Sequence, residues 1–178
     1  MFCRCILALA VLSSCLAAGQ SLPLGSRHSR QPVRTVVGNY CRLDFDGARL
    51  SKESWQQMKS LTTWKENPDW QSFAVISQYE VTAESEGSRS SMVEVTYSIL
   101  GTFERGIGYA AERSKESVVF HLKDVDEEWK IDDIDPSIIP HLSKPKAIAW
   151  LKAALAGEKD TGNKIALDKA LKELGATR

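Results

Sequence analysis

Between Ser72 and Ile134 the chain alternates apolar and polar positions in four successive runs. Phe73, Val75, Tyr79 and Val81 alternate with Ile76, Gln78, Glu80 and Thr82. Val93, Val95, Tyr97, Ile99 and Phe103 alternate with Met92, Glu94, Thr96, Ser98 and Thr102. Val118, Phe120 and Leu122 alternate with Val119, His121 and Lys123, and Trp129 and Ile131 with Lys130 and Asp132. A period of two with one mainly apolar face predicts four strands of one antiparallel sheet, with one side buried and the other wet. The polar stretch Glu84–Arg89, with Gly87 for positive φ, predicts the first hairpin loop. Asp126-Glu127-Glu128 turns the chain between strands three and four.

An amphipathic sheet needs a cover, and on both sides of it the period becomes helical. Pro32 to Asp46 predicts a first helix with Val33, Val36, Val37, Tyr40, Cys41 and Asp44 on one face. Pro32 suits its first turn and Gly47 its C-terminal stop. Gly38 inside it costs about 1 kcal/mol against alanine. A second helix is predicted from a Ser51 cap to about Thr62, with Trp55, Met58 and Leu61 on one face. Trp64 to Trp70 follows as a loop broken by Asn67-Pro68. Pro136 and Pro140 are expected to end the sheet, and two further helices are predicted at Pro145–Ala156 and Lys164–Leu174, stopped by Gly157 and Gly175. The class is α+β: N-terminal helices packed on a curved antiparallel sheet, a cone-like roll, with a C-terminal helical extension.

The first thirty residues differ in kind. Met1 to Gly19 has a short positive start at Arg4, an apolar run from Ile6 to Leu12 and small residues at Ala17-Ala18-Gly19, the pattern of an export signal. Leu12-Ser13-Ser14-Cys15 also resembles a bacterial lipobox, in which Cys15 would carry lipid. Periplasmic or secreted export and a lipid anchor at Cys15 both stand as expectations. Gln20 to Arg30 is too polar to order itself and is read as a linker. The folded unit is then 31–140, and 141–178 is the helical extension.

Composition narrows the function classes. The chain has 178 residues, 43% apolar and 26% charged, which is ordinary for one soluble domain with extensions. Lys+Arg and Asp+Glu balance at 23 each, so there is no basic field and nucleic acid is not an expected partner. Three of the four cysteines fall in the first fifteen residues, which leaves Cys41 without an intrachain disulfide partner and reads it as a small buried helix residue. Gly106-Ile107-Gly108 lacks the third glycine and the helix of a dinucleotide fingerprint, so Glu104–Lys115 is read as a flexible connection and no cofactor is expected. Asp132 and Asp133 would alternate to opposite faces, which argues against a metal site.

Two N-terminal helices followed by a strongly curved antiparallel sheet, closed by the strand Glu128-Trp129-Lys130-Ile131, resemble the nuclear transport factor 2-like superfamily, the cystatin-like α+β roll. The resemblance covers about Gln31 to Pro140. It implies a cone whose cavity serves either of two functions. One is an exported, non-catalytic domain that binds a small ligand or protein partner in the mouth of the cone, with room for a homodimer. The other is a cofactor-free isomerase, cyclase or dehydratase using an Asp or His base inside the cone. Pocket candidates are Tyr40 and Trp55 on the helices and Tyr79 and Tyr97 in core phase on adjacent strands. His28 in the linker, His121 on the polar strand face and His141 after the sheet offer no base, and the carboxylate candidates for the inner face are Asp133 on the last strand and Asp44 on the first helix, which leaves the cone only tyrosines and a peripheral Asp. That inventory favours binding over catalysis. The same rings could also simply fill the cone, and volume would distinguish a pocket from a plug.

Overall fold

A computed structural model describes residues 31–135 and 139–176; the stretch expected to be an export signal, Cys15, the 20–30 stretch read as a linker and Pro136 lie outside the described residues. The elements in order are α1 (Val33–Phe45), α2 (Lys52–Trp55), β1 (Ser72–Glu86), β2 (Ser90–Glu104), β3 (Gly108–Ala110), β4 (Ser114–Val125), β5 (Glu128–Asp135), β6 (His141–Ser143), α3 (Lys144–Gly157) and α4 (Thr161–Ala176). Helices pack on a strongly curled, mainly antiparallel sheet, which makes the chain an α+β roll with added C-terminal helices.

Helix α1 follows from its sequence. Its buried residues are Val33, Val36, Val37, Tyr40, Cys41 and Asp44, one stripe of a 3.6-residue period. Each buried valine contributes about 1.5–3 kcal/mol of transfer free energy. Gly47 stops the helix with φ 85°, a conformation glycine adopts without steric cost. The second helix is shorter than expected. Ser51 caps it, its Oγ accepting the Ser54 N–H at 3.1 Å, but α2 makes one turn and the chain continues as a turn and a 3-10 segment at Lys59–Leu61. The edge of β5 captures the backbone here: Thr62 bridges Ile131, and the Thr63 N–H donates to the Ile131 carbonyl at 2.9 Å. Trp55 and Met58 still reach the core.

Among the described residues the sheet has six strands rather than four, in the order β5-β4-β2-β1-β6, with β3 paired to β2. β6 runs parallel to β1, so the sheet does not end at Pro140. Nor is its second side simply wet. Val75 pairs with Gly101 and Ile76 with Ile99, which leaves Leu100 as an extra residue, and Ser77 is extra between Ile76 and Gln78. These bulges shift the phase. Ala74, Ile76, Tyr79 and Val81 face inward to α1, whereas Phe73, Val75 and Phe103 join a second core with Tyr109, Leu142 and the apolar faces of α3 and α4. The expectation that Phe73 and Val75 share a face with Tyr79 is corrected accordingly. A further bulge at Asp132 leaves Asp132 and Asp133 both exposed, where simple alternation separates them.

The stretch read as flexible is an ordered hairpin. Gly106 and Gly108 take positive φ, and Tyr109 folds over Gly101 with its hydroxyl donating to the Leu100 carbonyl at 3.1 Å. A Cβ on Gly101 would collide with the Ala110 carbonyl and the Tyr109 hydroxyl.

Candidate functional site

Aromatic rings close the interior of the roll. Tyr40 meets Phe120 at 5.4 Å between centroids and Trp64 at 6.2 Å, and Trp64 stacks on Trp55. Tyr79 and Tyr97 are direct cross-strand partners with rings 6.3 Å apart, and Phe45 of α1 covers Tyr79 edge-on. Tyr40, Trp55 and Tyr97 are buried and Tyr79 is half-buried. The four pocket candidates therefore lie in or beside one core, three of them sealed from solvent. His121, also half-buried, is on β4 opposite Asp133.

Beneath α1 these rings adjoin a buried polar cluster that sequence reasoning underrated. Asp44 is 1% exposed and His141 3% exposed. The Asp44 Oδ2 accepts the main-chain N–H of His141 at 2.9 Å and lies 3.8 Å from its Nδ1. The His141 ring stacks on Tyr97, with centroids 3.9 Å apart and planes within 10°. The Tyr97 hydroxyl hydrogen-bonds Cys41 Sγ at 3.2 Å. Asp44 Oδ1 and His141 Nε2 make no hydrogen bond among the described residues. Burial pushes the Cys41 thiol up to about 12 and the hydroxyls of Tyr40 and Tyr97 well above their ordinary value.

Asp44 is thus central rather than peripheral, and His141 belongs to a strand whose side chain turns inward. The signal for Asp44 was present: it shares the apolar stripe of α1 with Tyr40 and Cys41. His141 gave none, because three residues are too few to show a period. Arg49 was missed entirely. It is 1% exposed, and its side chain bonds Tyr40, donates from Nε to Asn67 Oδ1 at 3.2 Å and reaches the Pro68 carbonyl from Nη2 at 3.2 Å. Asn67 Nδ2 and Trp70 Nε1 bond back to the Arg49 carbonyl at 2.8 and 3.2 Å. This guanidinium ties the tryptophan-rich loop to the end of α1.

Two of the clefts on the described residues bear on function. One, of about 590 Å³, lies at the mouth of the roll between α1, the 3-10 segment and the β4–β5 turn, lined by Val36, Asn39, Ser60, Leu61, Trp129 and Lys130 among others. Lys130 is fixed there by its bonds to the Ser60 carbonyl and Glu128, each 2.6 Å. The other, of about 410 Å³, lies on the opposite side of the sheet, between the β2–β3 hairpin and helices α3 and α4. Among the described residues no group of three His, Cys, Asp or Glu side chains is placed to hold a metal ion, and no helix is long and apolar enough to cross a membrane. No family model matches the chain, and no curated protein or solved structure matches it.

Proposed function

We propose that this chain is an exported, non-catalytic domain of the nuclear transport factor 2-like kind that binds a small ligand or protein partner at the mouth of its cone. One observation carries the reading: the interior is filled by rings, while the mouth keeps a cleft of about 590 Å³, within the size range of small-molecule sites. Its lining mixes the apolar Val36, Leu61 and Trp129 with the polar Asn39, Ser60 and Lys130, as a site needs for both affinity and orientation. Export rests on the Met1–Gly19 pattern alone, with attachment through Cys15 as its variant. Native mass spectrometry of the protein from its own host should find a retained ligand or partner. Asn39→Trp, which fills the cleft from a half-exposed helix position, should abolish retention without unfolding the chain. Retention unchanged in that variant, or none in the wild type, refutes this reading.

A second reading, a cofactor-free isomerase, cyclase or dehydratase, draws on the Asp44–His141 pair beside Tyr97. It requires the cone to open, since a base must come within hydrogen-bond reach of the proton that it removes and both residues are sealed.

A further inference from the structure

The smaller cleft has a different chemistry and lies outside the cone. Its floor is aromatic: Phe103 and Trp150 line it with ring centroids 5.6 Å apart, and Trp150 packs in turn on Phe73 and Trp70 at 5.4 and 5.6 Å. Phe73 and Phe103 belong to the second core, and Trp70 and Trp150 pack against it. Two opposite charges stand in its lining on separate elements. Arg105 comes from the β2–β3 hairpin, its backbone N–H donating to the Gln71 carbonyl at 2.9 Å and its guanidinium 5.7 Å from the centre of the Trp70 ring. Glu158 comes from the turn between α3 and α4. Its Oε1 accepts the N–H groups of Lys159 and Asp160 at 2.7 and 2.9 Å, and these bonds hold its carboxyl below the usual range, so it is ionised at neutral pH.

Among the described residues neither Arg105 nor Glu158 takes part in an ion pair. The rim is also unusually apolar. Ile107, between the lining glycines Gly106 and Gly108, is 74% exposed, and Ile165, next to the lining Ala166, is 66% exposed. They are two of the three exposed large hydrophobic side chains among the described residues.

We propose that this cleft binds an apolar zwitterion, an α-amino acid or short peptide with an aromatic or aliphatic side chain, with its carboxylate on Arg105, its ammonium on Glu158 and its apolar body against Phe103 and Trp150. Charge decides among the ligand classes. A simple anion would meet the Glu158 carboxylate, a simple cation the Arg105 guanidinium, and a neutral apolar molecule would desolvate both without a partner. A zwitterion satisfies both, and an arginine–carboxylate contact can be bidentate. The volume of about 410 Å³ accommodates a single amino acid or a dipeptide, and the exposed Ile107 and Ile165 offer contacts to a longer chain.

The test is calorimetric titration of the full chain with L-phenylalanine and L-leucyl-L-phenylalanine, beside 3-phenylpropionate and 2-phenylethylamine, which each carry one of the charges. Saturable binding is expected for at least one zwitterion, and the tighter of the two tells a free amino acid from a peptide as the source. Each single-charge analogue should bind at least about tenfold more weakly, as should the zwitterion to Arg105→Gln or Glu158→Gln. Arg105 is exposed, and the amide oxygen introduced by Glu158→Gln would remain an acceptor for the turn, so both variants should retain the wild-type circular dichroism. Asn39→Trp, at the mouth of the cone, should leave this binding unchanged, so failure at one site is separable from failure at the other. No saturation by either zwitterion, equal binding of a single-charge analogue, or wild-type affinity in Arg105→Gln overturns the proposal.

Discussion

Replacing Asp44 by alanine should lower stability by about 2–4 kcal/mol, through the loss of one buried acceptor and of the side-chain volume around it. Its Oδ2 holds the main-chain N–H of His141 at 2.9 Å in the interior. Leaving that neutral N–H without an acceptor costs about 1–3 kcal/mol. The missing carboxyl group leaves a space of roughly 40 Å³, which at about 24 cal/mol per Å³ adds about 1 kcal/mol. Relief of the desolvation cost of a buried carboxylate works the other way and offsets part of this sum. For a domain of this size the net loss corresponds to a fall in Tm of about 5–15 °C. Asp44→Asn separates the contributions. It also removes the acidic group near Arg49 and Tyr40, but it keeps an oxygen where the His141 N–H points, so it should cost about 1 kcal/mol. Urea unfolding with an unchanged m-value reads both variants. Hydrogen exchange at the His141 amide should quicken in Asp44→Ala and stay slow in Asp44→Asn. Equal stability of the two variants, or an alanine variant within about 0.5 kcal/mol of wild type, would show that this bond does not hold the roll together.

Stability should also fall as pH rises from about 9 toward about 12. Burial raises the Cys41 thiol from 9.0 to about 12, so the unfolded chain releases this proton first and gains on the folded one throughout that window. Below it the thiol is protonated in both states and contributes no slope. The tyrosine hydroxyls start from 10.0, so Cys41→Ala should flatten mainly the first part of the decline, between about pH 9 and pH 10; urea midpoints with no wild-type slope there would reject this. Gly101→Ala should cost about 3 kcal/mol or more, because the new Cβ meets the Ala110 carbonyl and the Tyr109 hydroxyl and cannot clear them without parting β2 from β3. A thermal midpoint equal to wild type would mean that the hairpin yields freely.

How far the chain could be read without coordinates depended on the length over which a pattern runs. Helix α1 was legible down to its buried stripe because thirteen residues carry more than three turns of period. The four long strands were legible for the same reason, and with them the α+β class. The shift of phase at Ser77 and Leu100 was not, since one extra residue in a strand leaves no composition signal and turns every later side chain over. The run Phe73-Ala74-Val75-Ile76 did contain a hint: four apolar residues in succession are what a strand covered on both faces looks like. Of the candidate site, the pairing of Tyr79 with Tyr97 followed from strand phase, whereas the meeting of Asp44 with His141 did not. Those two residues are 97 positions apart, and β6, which brings them together, has three residues.

The placement of that contact explains why a roll with two cores needs a buried polar group at all. β1 and β6 form a wall with apolar residues on both sides: Ala74 and Ile76 face α1, Phe73 and Val75 face α3 and α4, and on β6 the inward His141 is followed by the outward Leu142. Apolar packing alone is non-directional and would tolerate β6 slipped along β1, because either register buries a similar area. A slip by one residue would turn His141 outward and Leu142 inward. The bond from Asp44 to the His141 N–H has one geometry, so it selects one register, and the adjoining stack of His141 on Tyr97 reinforces the same choice. On this view Asp44 sets the position of Leu142, and through it the seating of α3 and α4 on the outer face. Loss of the acceptor in Asp44→Ala should then loosen both cores together, even though Asp44 lies on the stripe of α1 that packs into the inner one.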